Sequence, residues 1–234
     1  EDPLVIAGGP GAQNPELLAP FVDIFVIGDG EESLPWVLEK WLELKEQGGM
    51  DRTEMIAKIA SSAPWVYAPM FYEPEYHSDG SLVAMNRTRP DVPKEILACT
   101  ISKDFDDFPL PRKPIVPFVK TPHDRIALEI MRGCPWQCRF CQSTVIKRPL
   151  RVRSVEHIVE AALDCYHSTG MDEISLLSLS SSDYPYFEEL VKRMHEVFHP
   201  LGVSVSLPSL RINNQLRTLP KLIRGIRRSG LTLA

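Results

Sequence analysis

Nine of the 21 prolines in this 234-residue chain fall between residues 60 and 120: Pro64, Pro69, Pro74, Pro90, Pro93, Pro109, Pro111, Pro114 and Pro117. Proline lacks the backbone N–H that helix interiors and central strands require. That stretch therefore cannot be the middle of a sheet or a long helix. It divides the chain into an N-terminal block, residues 1–49, a proline-rich linker over 50–120, and a C-terminal block, residues 121–234. Within the linker, Asp79-Gly80 separates two strand-like runs in "FYEPEYHSDGSLVAMNRT", which predicts one β-hairpin.

Both flanking blocks alternate short apolar runs with helical periodicity, the rhythm of an α/β fold with parallel strands. In the first, "PLVIAGGPG" (3–11) and "VDIFVIGDGEE" (22–32) read as buried strands that end in glycine turns. "NPELLAPF" (14–21) reads as a short helix with Asn14 as its cap and Pro15 in first position. "ESLPWVLEKWLELKEQGG" (32–49) reads as a longer helix stopped by glycine. In the last block, strands are predicted at 125–131, 172–179 and 203–207, with a fourth beginning at "LTLA". Helices are predicted at 154–170 with Ser154 as cap, at 183–202 with Asp183 as cap, and at 218–230. This is the first half of a (β/α) barrel or a comparable open sheet, in which chemistry sits at the carboxyl ends of strands.

Charge and apolar content exclude some classes. The net charge of −5 implies no global attraction to nucleic acid. No apolar run approaches the roughly 18 residues that a membrane helix needs, and no signal peptide is present. The first residue is Glu1, the opening residues already resemble a strand, and the chain stops within another strand-like run. These features predict a piece of a longer protein. Five cysteines, an odd number with three clustered, speak against a disulfide scaffold and for a metal site in a reducing, cytoplasmic setting.

The cluster is "MRGCPWQCRFCQS" (131–143), with Cys134, Cys138 and Cys141 spaced Cys-x3-Cys-x2-Cys directly after the predicted first strand of the last block. Thiolates are soft ligands suited to iron–sulfur clusters or zinc. A ferredoxin-type [4Fe–4S] centre takes four cysteines; here the loop offers three, which leaves one coordination position open, as catalytic metals require. Arg132-Gly133 gives the loop a tight lead-in. A Cys3His zinc site with His123 as fourth ligand satisfies the same spacing.

The three-cysteine spacing, with the aromatic Phe140 just before the last cysteine, resembles that of the radical S-adenosylmethionine (SAM) enzymes. The resemblance implies a partial (β/α) barrel and a [4Fe–4S] cluster on Cys134, Cys138 and Cys141. The open iron would hold the amino and carboxylate groups of S-adenosylmethionine, and reductive cleavage would give a 5′-deoxyadenosyl radical. It also implies a reductant of flavodoxin or ferredoxin type. At the ends of the second and third strands, Ser180, Ser181 and Asp183 become candidates for the cofactor's amino group, and Arg211 for its carboxylate.

The resemblance reaches upstream. Gly8-Gly9-Pro10 and Gly28-Asp29-Gly30-Glu31 look like the glycine turns of a Rossmann-like, cobalamin-binding-type domain, with Asp29 in place of the usual Glu. Together with "HDRIALEIMRGC" and "SLSSSDY", they resemble a subgroup of B12-binding-domain radical SAM proteins related to methylthiotransferases. By that analogy Gly8, Gly9, Gly28 and Gly30 would border cobalamin, although the histidine motif that ligates cobalt is not in the sequence. The reaction implied is methyl or methylthio transfer, on a substrate that includes RNA and protein among its options.

Each of these residues also has a plain structural reading. Asp183 is a natural helix cap, and Arg211 a surface arginine. Residues 132–153 carry Arg132, Arg139, Lys147, Arg148, Arg151 and Arg153 without an acid. Residues 211–230 carry Arg211, Arg217, Lys221, Arg224, Arg227 and Arg228, again without one. Such runs suit RNA, or they offset a cluster's negative charge and coat helix faces. A zinc module presenting these runs to RNA is the alternative to the enzyme. Trp36 and Trp41 fit a core, Trp136 a shield or packing element of the loop, and Cys165 a buried small hydrophobe. Cys99 has no evident role.

Overall fold

The computed structural model describes residues 3–119, 121, 122 and 124–211. The predicted helix at 218–230, the fourth strand, His123 and the basic run beyond Arg211 lie outside the described residues. The chain divides into two compact units between Ser102 and Lys103, so the segment expected as a linker is shared between them.

The first unit holds β1 (Ile6–Gly8), β2 (Ile24–Val26), α1 (Gly30–Gln47), α2 (Arg52–Ser62), β3 (Val66–Tyr67) and the hairpin β4 (Tyr72–Tyr76) and β5 (Leu82–Arg87). Strands β1 and β2 run parallel, Ile6 opposite Ile24, and β3 adds antiparallel to β2. Ile24, Phe25 and Val26 are all buried, as a strand flanked on both sides requires. Residues 14–21 form a 3-10 helix, Pro15–Phe21, and Asn14 makes no side-chain cap. Pro20 inside this segment removes an N–H that a regular α-helix needs. Helix α2, capped by Asp51 on the N–H of Glu54, buries Met55, Ile56, Ala57, Ile59 and Ala60. The segment expected as a linker thus starts with a proline-free core helix, and of the prolines after it Pro74 lies within β4 of the two-stranded hairpin. Trp36 meets Trp65 edge to face at 5.2 Å and both border this core. The predicted hairpin is present, with Asp79 bonding Ser81 at its turn.

The second unit contains β6 (Ile126–Glu129), β7 (Met131–Arg132), a short α3 (Ser143–Ile146), β8 (Arg151–Val152), α4 (Val155–Thr169), β9 (Glu173–Leu177), α5 (Phe187–Phe198) and β10 (Ser204–Ser206). Strand order is β10-β9-β6, all parallel, with α4 and α5 as crossovers. This is the βαβαβ rhythm read from the sequence. Ser154 caps α4 through the N–H of His157, and Gly170 ends it in the left-handed region at φ 70°, a conformation cheap only for glycine. Helix α5 starts later than expected. Asp183 lies in a 3-10 turn, Ser181–Asp183, followed by Pro185, and the cap position falls to Tyr186 without a side-chain bond.

A strap over residues 104–112 ties down the start of this unit. Arg153 is buried and donates to the carbonyls of Phe105 and Phe108, each at 2.7 Å. Its guanidinium lies 4.1 Å from the Phe105 ring centre. Asp106 accepts the N–H of Ser154, and the Cys165 thiol bonds the Pro111 carbonyl. Cys165 is buried, as its apolar reading required. No described helix is long and apolar enough to cross a membrane.

Candidate functional site

The thiol loop is an excursion between two short strands. Met131 pairs with Val152 and Arg132 with Arg151 in antiparallel register. The N–H of Arg153 closes on the Ile130 carbonyl and that of Ile130 on Leu177. The base of the loop is thereby fixed to the carboxyl ends of β6 and β9, where parallel α/β folds place chemistry. Gly133 opens the loop at φ 91°, and a Cβ there would come within 2.6 Å of the Lys147 carbonyl oxygen. Only glycine lets the two sides of the loop pass so closely.

Cys134, Cys138 and Cys141 are free thiols; Cys138 is exposed and the other two are half-buried. The N–H of Cys141 bonds the Cys138 carbonyl, and the Thr144 hydroxyl bonds the Cys141 carbonyl. The last two cysteines therefore share one turn. No three His, Cys, Asp or Glu side chains converge as a ligand set among the described residues. Phe140 projects from the loop, 92% exposed.

The ends of β9 and β10 face each other beside this loop. Ser180, Ser181 and Ser182 are buried. The N–H of Ser181 bonds the Ser209 carbonyl and its hydroxyl the Pro208 carbonyl at 2.8 Å. Ser182 bonds the backbone of Arg211. Of the expected cofactor residues, Ser181 therefore turns its hydroxyl into the fold. Ser180 donates to the Asp183 carboxylate at 2.6 Å.

Trp136 joins the loop to these ends. Its indole N–H donates to Asp183 at 2.7 Å, and the Arg211 guanidinium sits 3.6 Å above its ring. The structure thus brings together Trp136, Ser180, Asp183 and Arg211, three of them expected. The role of Trp136 as their common partner was not readable from the sequence, because its neighbours lie 47 and 75 residues away along the chain.

A cavity of about 250 Å³ lies at the same strand ends, lined by Glu129, Met131, Arg132, Gly133, Lys147, Leu177, Ser178 and Leu179. Arg132 and Glu129 form a two-pronged ion pair on its wall, at 3.0 and 2.8 Å. The basic run of 132–153 is largely used internally: Arg132 on Glu129, Arg148 on the Thr144 carbonyl, Arg151 on the Lys147 carbonyl, and Arg153 on the strap.

In the first unit, Gly8 ends β1 and Gly9 follows it, while Gly28 and Gly30 follow β2, so all four lie at the carboxyl ends of the two parallel strands. Gly28, at φ 110°, faces the backbone of Cys99, which a Cβ would overlap. Asp29 donates its N–H to the Cys99 carbonyl and accepts the N–H of Ile101, while Glu32 accepts both the N–H and the hydroxyl of Ser102. The second glycine turn is thus occupied by the chain's own 99–102 segment. At Gly9 and Gly30 no atom lies within reach of an added Cβ, and at Gly8 only Val26 does.

Two families match this chain. Residues 1–69 match radical SAM proteins, N-terminal, and residues 128–233 match the radical SAM superfamily. Two separate stretches of the chain are thus similar to radical SAM proteins. It is 31% identical over 97 residues to an uncharacterized protein of Methanocaldococcus jannaschii, covering 42% of this chain and 21% of that protein. It is 26% identical over 188 residues to an uncharacterized methyltransferase of Pyrococcus horikoshii, covering 76% of this chain and 33% of that protein. The chain spans a third or less of the length of either relative. No solved structure matches it.

Proposed function

We propose that this chain, with its two stretches similar to radical SAM proteins, belongs to an enzyme that uses a [4Fe–4S] cluster and S-adenosylmethionine to start radical chemistry. The observation that carries the reading is position. Three thiols leave the carboxyl end of the first parallel strand of the second unit, and the ends of the next two strands meet their loop at Trp136.

The donor set fits the group. Cys134, Cys138 and Cys141 are soft ligands, uncommitted to disulfides, on a loop open enough to admit a cluster. Three thiolates leave one metal position for a co-substrate. When bound, the cluster supplies the electron that breaks a carbon–sulfur bond of S-adenosylmethionine. The chain's residues position that co-substrate. Arg211 offers a planar guanidinium to its carboxylate. Ser180 and Asp183 form the polar wall for its ammonium group, and the exposed ring of Phe140 offers an apolar face beside the thiols. Glu129 and Arg132 hold each other across the neighbouring cavity, so neither charge is left unpaired there.

Electrons come, in this reading, from a flavodoxin- or ferredoxin-type donor. The transferred group is methyl or methylthio, supported by the relative named as a methyltransferase.

Metal analysis tests it. Full-length protein reconstituted anaerobically should be brown and hold about four irons per chain. The Cys134→Ala/Cys138→Ala/Cys141→Ala variant should hold none. A colourless protein that retains one zinc in place of iron would overturn the reading in favour of a Cys3His site.

A further inference from the structure

We infer that Trp136 is a positioning residue that clasps the thiol loop to the ends of β9 and β10 and sets Arg211 for anion recognition. The inference rests on the proposed function for the identity of the anionic group, the carboxylate of S-adenosylmethionine, but not for the clasp itself.

Three chain segments meet on this one indole. The loop supplies the ring, midway between Cys134 and Cys138. The end of β9 supplies the Asp183 carboxylate, which accepts the indole N–H at 2.7 Å and the Ser180 hydroxyl at 2.6 Å. The end of β10 supplies the Arg211 guanidinium, 3.6 Å from the ring centre. Beyond the turn formed by Cys138 and Cys141, the middle of the loop has no strand ladder. The clasp holds it from outside.

Tryptophan suits both jobs. The edge must donate a hydrogen bond, and the face must receive a cation; tryptophan combines a lone N–H donor with the strongest aromatic face for cations. A guanidinium stacked through its face keeps its N–H edges for a planar carboxylate. Ser182 fixes the Arg211 backbone from behind. Asp183 then holds the clasp through Trp136. Trp136 is 41% exposed, so its replacement removes the clasp without emptying a core.

The consequence is coupling: order in the thiol loop and anion binding at Arg211 share one residue, and each favours the other. Two measurements on the full-length protein test this. In metal-free protein, iodoacetamide labelling followed by peptide mass spectrometry gives the alkylation rate of each loop cysteine. Trp136→Leu should raise the rates at Cys134 and Cys138 about tenfold, the size of effect expected for one lost charge-assisted hydrogen bond. Asp183→Ala should do the same. Asp183→Asn, which still accepts the indole N–H, should restore the wild-type rates. In reconstituted protein, equilibrium dialysis should show Trp136→Leu binding S-adenosylmethionine about tenfold more weakly than wild type at equal iron content.

Wild-type alkylation rates in Trp136→Leu would overturn the clasp, whatever the enzyme does. Faster alkylation with unchanged S-adenosylmethionine affinity would overturn the coupling to Arg211. A wild type that loads its cluster and yet binds no S-adenosylmethionine would sink the functional reading, while the alkylation rates still decide the clasp.

Discussion

The Ser182 hydroxyl accepts the backbone N–H of Arg211 and donates to the same residue's carbonyl, both at 2.9 Å. One side chain thus completes the hydrogen bonding of a residue 29 positions away and sews the end of β9 to the end of β10. Ser182 is fully buried. Replacing it by alanine strands both backbone groups, at a cost of about 1–3 kcal/mol. Denaturant unfolding of Ser182→Ala should show that loss, and hydrogen exchange should speed up at the Arg211 amide relative to wild type while Ile174, within β9, keeps its protection.

Gly28 and Gly133 answer to a different constraint, the close approach of two backbones. Each has positive φ and each would drive a Cβ into main-chain atoms. The left-handed conformation alone costs a non-glycine residue about 1–2 kcal/mol, and overlap adds to it. Gly28→Ala should destabilise the first unit and release the 99–102 segment; Gly133→Ala should loosen the thiol loop. Limited proteolysis would separate the two: new cuts near Cys99 in the former, and between residues 133 and 150 in the latter.

Arg153 is buried with its charge answered by the Phe105 and Phe108 carbonyls and the Phe105 ring. Arg153→Met keeps the volume and removes the donors. The two carbonyls lose charge-assisted bonds, so stability should fall by about 2–4 kcal/mol. The strap over 104–112 should become the first site of proteolysis. Equal stability and equal protection in this variant would show that the strap is held by apolar contact alone.

Much of the second unit could be read ahead of the structure, because its signals are local. Ser154 and Gly170 bracket α4 as expected, and the βαβαβ order follows from period and punctuation. The thiol loop was legible because its three cysteines lie within eight residues. What escaped is what depends on distant partners. The core helix α2 falls at the start of the expected linker, although no proline lies within it and the prolines of that stretch begin only at Pro64, after it ends. Asp183 sits where a cap should be, yet its carboxylate is drawn to Trp136 and Ser180. Gly28 reads as a ligand turn in the sequence, and only the fold reveals Cys99 against it. Six cationic residues without an acid between 132 and 153 look like a free basic patch, until carbonyls and Glu129 are found to hold four of them.

Burial pushes the thiols of Cys165 and Cys99 above the ordinary cysteine range. The folded protein holds these protons at a pH where the unfolded chain has begun to lose them. Their contribution to stability is complete below the ordinary thiol pKa and is lost as pH rises through the raised one. In metal-free protein at pH 8, alkylation should therefore reach Cys134, Cys138 and Cys141 first. Cys165, bonded to the Pro111 carbonyl, should be modified last. Equal rates at all five cysteines would contradict the burial of Cys165.

The most direct test of the central claim is the production of 5′-deoxyadenosine. Full-length protein with its cluster loaded should form it from S-adenosylmethionine on addition of a one-electron reductant. The same protein with Cys134, Cys138 and Cys141 changed to alanine should form none. A wild-type protein that is fully loaded and reduced, yet leaves S-adenosylmethionine intact, would contradict the account.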